Sequence, residues 1–316
     1  MNTKKVRKLK KSVKITIFII FIILIFIIVF INYKKHISAM SYKLGKLGYN
    51  KEEIETIESL DLNKQEDILK REYDSNIVEL LNEKYFIYDN LDRYMNYIKL
   101  NPKEDLKDVV TLVNVNRDRP YYENMYKTDT SLETLMLVNK YYKLDKDFKF
   151  EDIVEVSNRH CYGTQYLKED VYDKFKEMFN AAKKEDLTII INSSYRDYDY
   201  QEELWNRYSN LNGDEWADSY AARAGSSEHQ TGLAIDVTTY NVKEQGDFEE
   251  TEEFKWMQEN AYKYGFILRY PKGKENITGY EFENWHIRFV GKDNAKIIYE
   301  NDLTLEEYID LYIKKY

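Results

Sequence analysis

The sequence predicts an α+β protein behind an apolar N-terminal segment. Segments with helical spacing, such as residues 169–184, mix with short β-branched or alternating runs, such as 187–191 and 233–237. The regular strand–helix–strand alternation of a parallel sheet is absent. Residues 15–31 form a third kind of segment, apolar throughout except for Thr16.

Taken in order, residues 1–14 carry Lys4, Lys5, Arg7, Lys8, Lys10, Lys11 and Lys14 and no acid. The 17 apolar residues that follow are at the lower limit for a membrane-spanning helix. The basic flank is heavier before the segment than after it, where only Lys34 and Lys35 follow closely, so the N-terminus is expected in the cytoplasm. A cleaved signal peptide is the competing reading. The run is longer than a usual signal core, and no small-residue cleavage pattern follows at once, although Ser38-Ala39 is a candidate. An uncleaved anchor is the favoured expectation.

Charge divides at this segment. Residues 1–35 net +9 within a chain of net −9, leaving −18 for residues 36–316. An acidic exterior argues against a nucleic-acid partner, which needs a basic footprint. It gives no long-range attraction to an anionic substrate either, so any carboxylate recognition must be local, and Arg196 is the candidate. Cys161 is the only cysteine, so no internal disulfide is available and the core must supply stability.

Residues 32–108 read as a small helical module or stalk. Asn50 and Asn63 each precede an acid three positions on, Glu53 and Glu66, as helix N-caps do. Ile54, Ile57 and Leu60, then Ile68 and Leu69, then Ile77, Leu80 and Leu81, and finally Leu91, Tyr94, Met95 and Ile98 keep helical spacing. The module is a spacer or a wall-binding element. Asn101-Pro102 suits a boundary.

The remaining domain is expected over residues 109–316. Residues 109–115 are β-branched and predict a strand. Residues 169–184 predict an amphipathic helix with Val171, Phe175, Met178, Phe179 and Ala182 on one face. Residues 187–191 predict a strand leading into Ser193-Ser194-Tyr195-Arg196, and the next helix presents Gln201, Leu204 and Trp205. A helix over 251–264 ends at Gly265, a strand follows at 266–268, and 271–279 reads as a loop beside the cleft. Helices at 295–300 and 305–315 close the chain. The 30 tyrosines read as half-buried surface.

Chemistry concentrates in Ser227-Glu228-His229-Gln230-Thr231-Gly232-Leu233-Ala234-Ile235-Asp236 and Glu283-Asn284-Trp285-His286. A catalytic zinc takes three protein ligands and leaves one position open. His229, Asp236 and His286 would fill that set, with Glu283 beside them as general base. Gly232 suits a tight turn. The run that follows alternates, placing Ala234 and Asp236 on one face and Leu233, Ile235 and Val237 on the other. Taken singly, each of the four groups is equally well a core histidine or a solvated carboxylate. A second metal site or reactive thiol at His160-Cys161 is a further, weaker reading. With both motif histidines on a metal, no serine–histidine–aspartate arrangement competes, and phosphate-binding glycine loops are absent.

These motifs resemble the VanY-type D-alanyl-D-alanine carboxypeptidases, in the zinc peptidase family that also holds the VanX-type dipeptidases. Ser193-Ser194-Tyr195-Arg196-Asp197 with Gln201 resembles a further family segment. So do Ala222-Arg223-Ala224-Gly225-Ser226-Ser227-Glu228-His229, with Ala224 where proline is usual, residues 264–271, and Trp285-His286-Ile287-Arg288-Phe289-Val290-Gly291. Leu137-Val138-Asn139-Lys140 resembles a segment that wraps the catalytic core. The resemblance covers residues 109–312 and implies a small antiparallel sheet flanked by helices and carrying a cleft with one zinc ion. It implies that Glu283 and Arg196 are catalytic, with Arg196 donating to the oxyanion or to the substrate's terminal carboxylate. Ser227, Gln201, Trp285 and Tyr195 would contact or border substrate. The implied reaction removes the terminal D-alanine from peptidoglycan stem pentapeptides. An L,D-carboxypeptidase acting on tetrapeptide stems, a D,D-dipeptidase, and a membrane-tethered wall-binding or sensor protein without catalysis are the alternatives. The dipeptidase normally acts in the cytoplasm, and the anchor counts against it.

Overall fold

The computed structural model describes residues 11–240, 242 and 245–314. The basic residues before Lys11, and Lys315 at the end of the last expected helix, lie outside the described residues. Two compact units divide between Met95 and Asn96.

In the first unit, α1 (Lys11–Leu47) contains the whole apolar run. Its residues 15, 17–31 are exposed along the full helix circumference, and the helix is long and apolar enough to cross a membrane. Its last turns bury Met40 and Leu44. Three short helices follow: α2 (Lys51–Glu58), α3 (Leu62–Ile68) and α4 (Ser75–Leu81). Ile57, Ile68, Ile77, Val78 and Leu80 are their buried apolar positions. At α2 the Asn50 side chain accepts from Glu53 N and the Glu53 carboxylate accepts from Asn50 N, at 3.0 and 2.7 Å, a reciprocal cap. At α3 the expected cap is wrong. Asp61, not Asn63, accepts from Lys64 N at 3.1 Å, because a carboxylate is a strong acceptor at the positive helix end and Asn63 falls inside the first turn. The helix α5 (Leu91–Leu100) spans the division between the units.

The second unit begins with a further correction. Residues 109–115 are not the strand that their β-branched composition predicts. They lie in α6 (Leu106–Asn114), started by Asp105, whose side chain accepts from Lys107 N. Val109, Val110, Leu112 and Val113 are all buried, which is the i, i+3, i+4 pattern of one helix face. The cap and the buried stripe together outweigh a β preference worth only about 1 kcal/mol across the scale.

Two pairs of short strands precede the main sheet: β1 (Tyr126–Lys127) with β2 (Tyr142–Lys143), and β3 (Ile153–Glu155) with β4 (Tyr166–Lys168). The helix α7 (Glu169–Lys183) then buries Val171, Phe175, Met178, Phe179 and Ala182, the face that the sequence predicts. The main sheet is four-stranded and antiparallel throughout. It comprises β5 (Ile190–Ser193), β6 (Ala234–Thr238), β7 (Phe266–Leu268) and β8 (His286–Phe289), in the order β5-β6-β8-β7.

One sheet face presents Ile191, Leu233, Ile235, Val237, Phe266, Ile287 and Phe289 to a core shared with α7 and with Phe254 and Met257 of α10 (Glu252–Asn260). The fold class is therefore α+β, with helices packed on a small antiparallel sheet. Between β5 and α10 lie α8 (Tyr198–Asn212) and α9 (Asp214–Tyr220). The segment expected to be a loop at 271–279 includes the single turn α11 (Glu275–Thr278). Two helices, α12 (Lys292–Glu300) and α13 (Leu305–Tyr308), cover a second cluster around Val290, Ala295 and Ile298, and α13 continues as a wider π-helical turn through residues 309–313.

Phe175 is fully buried in the core beneath the sheet. Phe175→Ala is expected to destabilise this unit by about 3–5 kcal/mol, read as a fall in the urea midpoint without loss of secondary structure in the native baseline.

Candidate active site

The face of the sheet opposite the core is polar. Alternation turns Asp236 and Ala234 of β6 away from Leu233, Ile235 and Val237. The register pairs Asp236 with His286 and Ala234 with Arg288. Partners in an antiparallel ladder share a face, so Asp236 and His286 emerge side by side.

His229 reaches the same point from a tight turn. Residues 228–231 form one 3₁₀ turn closed by Gly232 at φ 65°. A side chain at 232 would require left-handed backbone, and its Cβ would sit 2.8 Å from Ile153 Cδ1. His229 Nδ1 lies 2.6 Å from the Ser194 carbonyl, and Arg196 N donates to the His229 carbonyl at 3.2 Å. The segment after β5 is thereby tied to the histidine in both directions. The two imidazoles meet edge to face, with centroids 5.0 Å apart.

His229, Asp236 and His286 are buried, and one donor atom from each lies within 4.8 Å of the others. His229 Nε2 is 3.4 Å from Asp236 Oδ2, and His286 Nδ1 is 3.1 Å from Asp236 Oδ1. Asp236 Oδ1 is nonetheless buried without a hydrogen bond. Two imidazoles and one orphaned carboxylate oxygen around a common point are a donor set that fits a zinc ion with an open position. Among the described residues this is the one cluster of that kind. His160 and Cys161 do not make a second: the His160 ring is bonded to the Tyr172 hydroxyl at 2.7 Å, and the buried thiol faces backbone carbonyls.

Glu283 stands beside the cluster, with Oε2 3.4 Å from His286 Nδ1 and its side chain 20% exposed. Burial, reinforced by Asp236 and Glu228, outweighs His286 and Arg196 and pushes its carboxyl up to about 7. Asp236 is the reverse case: burial raises its pKa, but His229 and His286 hold it well below the usual range. Burial and Arg196 push His229 down. For His286 burial acts downward, yet the neighbouring carboxylates of Asp236 and Glu228 lift it to about 9, so metal binding there displaces a proton.

The cleft of about 330 Å³ is lined by His229, Asp236, Glu283 and His286 and also by Arg196, Gln201, Ser227 and Trp285. Arg196 Nε is buried without a hydrogen-bond partner. Gln201 Nε2 donates to the Ala222 carbonyl at 2.7 Å while its Oε1 is unpaired, so it secures the chain leading to Ser227. Tyr195 is half-buried and is not among the lining residues. Tyr270 and Tyr280, the residues flanking the 271–279 segment, line the cleft, as do Tyr208, Trp216 and Tyr220.

Behind the cluster lies a set of buried charges that the motifs do not single out. Arg269 and Arg288 are fully buried. Glu228 Oε1 accepts from Arg269 Nε and Arg288 Nη1, each at 2.7 Å. Arg269 also holds Glu306 through two bonds of 2.8 and 2.7 Å, and Asn139 donates to Glu306. Arg288 Nη2 donates to the Met136 carbonyl. The segment around residues 136–140 is thus bonded to the buried charges on the polar side of the sheet. Pairing across 41 residues between Glu228 and Arg269 leaves no local signal in sequence.

A family model described as VanY, D-alanyl-D-alanine carboxypeptidase, matches residues 164–292. The D-alanyl-D-alanine carboxypeptidase of Enterococcus faecium is 37% identical over 246 residues, covering 75% of each chain. The chain belongs to the VanY family. The putative carboxypeptidase YodJ of Bacillus subtilis is 43% identical over 205 residues, 60% of this chain and 74% of that relative. Among solved structures, the LD-carboxypeptidase LdcB superposes with a TM-score of 0.55 at 41% identity, over 60% of this chain and 91% of its own. The VanY match contains the 228–236 turn and strand, Arg196 and the 283–286 motif.

Burial raises the Glu228 carboxyl pKa, but Arg269 and Arg288 outweigh it and hold the group well below the ordinary 4.5. A depressed carboxylate contributes stability that is present above 4.5 and lost as pH falls toward the folded value. Arg269→Met is expected to cost about 3–5 kcal/mol at neutral pH by leaving buried carboxylates uncompensated. The difference from the unsubstituted protein should shrink at pH 4, where protonation relieves the orphaned charge; urea titrations at the two pH values read it.

Proposed function

We propose that the chain is a membrane-anchored, zinc-dependent D,D-carboxypeptidase that removes the terminal D-alanine from peptidoglycan stem pentapeptides. The observation that carries this reading is the convergence, in one cleft, of three metal-donor side chains, a half-buried carboxyl beside them and a guanidinium with an unpaired Nε. His229, Asp236 and His286 would hold one zinc ion. When bound, zinc supplies Lewis acidity toward water and the scissile carbonyl.

The chain's own groups perform the remaining tasks. Glu283, with a carboxyl lifted to about 7, is matched to accept a proton from the attacking water and return it to the leaving amine near neutral pH. Arg196 donates to the oxyanion or to the terminal carboxylate of the substrate, where a planar double donor is effective. Ser227 stands near that carboxylate. Trp285 forms cleft wall, and Gln201 braces the 222–227 segment.

The apolar helix supports an anchor, with residues 1–14 cytoplasmic and 15–31 spanning the membrane. Residues 32–108 would then be an external helical module, and 109–316 the peptidase domain. Removal of D-alanine from tetrapeptide stems is a second reading, favoured by the likeness to the LD-carboxypeptidase LdcB.

Incubation of the zinc-loaded protein with four- and five-residue stems, followed by mass spectrometry, separates these readings. Loss of one alanine from the pentapeptide, abolished by chelator, is the expected result; trimming of the tetrapeptide alone would move the assignment to the L,D reaction. No cleavage of either by folded, zinc-loaded protein would count against both. Glu283→Ala is expected to lower kcat by about 10²–10⁴-fold with zinc still bound. Arg196→Ala should lower kcat/KM by about 10²–10³-fold, measured on the same peptide.

A further inference from the structure

The two histidines of the cluster are held from behind by different acceptors. For His229 the outer nitrogen is Nδ1, 2.6 Å from the Ser194 carbonyl, which leaves Nε2 facing Asp236. For His286 the arrangement is reversed. Its Nδ1 faces Asp236 and Glu283, and its Nε2 points into the protein toward Glu228 Oε2 at 3.5 Å. Both atoms of that last pair are buried, and neither has a hydrogen-bond partner. The other Glu228 oxygen is taken twice, by Arg269 Nε and Arg288 Nη1.

We propose that Glu228 is a positioning residue that keeps the proton of His286 on Nε2 and so leaves Nδ1 free to bind the metal. The inference rests on the zinc reading above. A carboxylate clamped on one oxygen by two guanidinium donors can offer only an acceptor to the imidazole. The imidazole nitrogen facing it must therefore be the N–H, and the opposite nitrogen carries the lone pair. The two arginines have a second effect: they fix the rotation of the carboxylate, so Oε2 is aimed at His286 and nowhere else. Arg288 is bonded further to the Met136 and Thr134 carbonyls, and Arg269 to Glu306, so the clamp is itself braced.

This arrangement makes Glu228→Gln informative, because the substitution is nearly isosteric. Its amide oxygen must take the place of Oε1, since an NH2 there would confront two guanidinium donors. The NH2 then faces His286 Nε2 and donates to it. An imidazole accepting at Nε2 carries its proton on Nδ1, the atom the metal needs. The substitution thus inverts the tautomer while keeping size and the arginine contacts. Glu306→Gln is the control: it disturbs the same buried network through Arg269 but does not touch His286.

The test is zinc affinity by competition with a chromophoric chelator, with thermal unfolding of each zinc-free protein measured alongside. Glu228→Gln is expected to weaken zinc binding by about 10–100-fold, while Glu306→Gln stays within about twofold of the unsubstituted protein even if its unfolding temperature drops. Unchanged affinity in Glu228→Gln, or equal losses in the two variants, would overturn the proposal.

Should Glu228→Gln fail to fold, nitrogen-15 spectra of the four histidines in the zinc-loaded, unsubstituted protein decide the matter. A slowly exchanging proton on His286 Nε2 with metal on Nδ1 supports the assignment, and the opposite pattern overturns it. Unsubstituted protein that holds no zinc would overturn both this inference and the reading beneath it, a result distinct from zinc bound equally by all three proteins.

Discussion

The register between β6 and β8 is the constraint on which the cleft depends. Asp236 stands opposite His286 because Ile235 stands opposite Ile287. The two pairs have opposite destinations, one into the cleft and one into the apolar core. A slip of one residue would exchange them, burying a carboxylate and an imidazole among Phe175, Met257 and Phe266. The energy that sets the register is thus mainly that of the apolar face, and the geometry of the polar face follows from it. The turn carrying His229 adds a backbone condition at Gly232, and Ser194 adds a hydrogen bond.

A second layer lies directly behind those side chains. Two arginines and two glutamates are buried there and bonded to one another and to the 134–140 segment. Burying four charges is costly, and a well-packed apolar cluster could match their contribution to stability. What an apolar cluster could not provide is a fixed acceptor at the back of His286 and a fixed donor at the backbone of the wrapping segment. The network is better understood as setting directions than as adding stability.

Much of this was legible in the sequence, and the parts that were not share a cause. The alternation at 233–237 and the apolar face of 169–184 are short-period patterns, and both appear as expected. The spacing of His229, Asp236, Glu283 and His286 marks one cleft because two turns of local chemistry place each pair. The β-branched run at 109–115 misled, since Val109, Val110, Leu112 and Val113 satisfy a helical stripe as well as a strand, and Asp105, four residues earlier, was the deciding signal. Asp61 and Asn63 lie two residues apart and both suit a cap, and the carboxylate takes the role. Arg269 and Arg288 fall within motif segments that give them no role, and Glu306 falls outside them: their pairing appears only when the sheet and α13 bring Arg269 and Arg288 to Glu228, and Glu306 to Arg269. Tyr195, which the resemblance groups with Arg196 at the substrate, lies off the cleft lining.

Cys161 gives this molecule an experimental property. It is the one thiol in the chain, it is buried, its sulfur faces three backbone carbonyls, and burial pushes its pKa up. Thiolate reagents need an ionised, reachable sulfur, and Cys161 offers neither. A cysteine placed on the surface would therefore be the fast-reacting site without removal of the native one. A spectroscopic label could be put on the cleft rim while the native core stays intact.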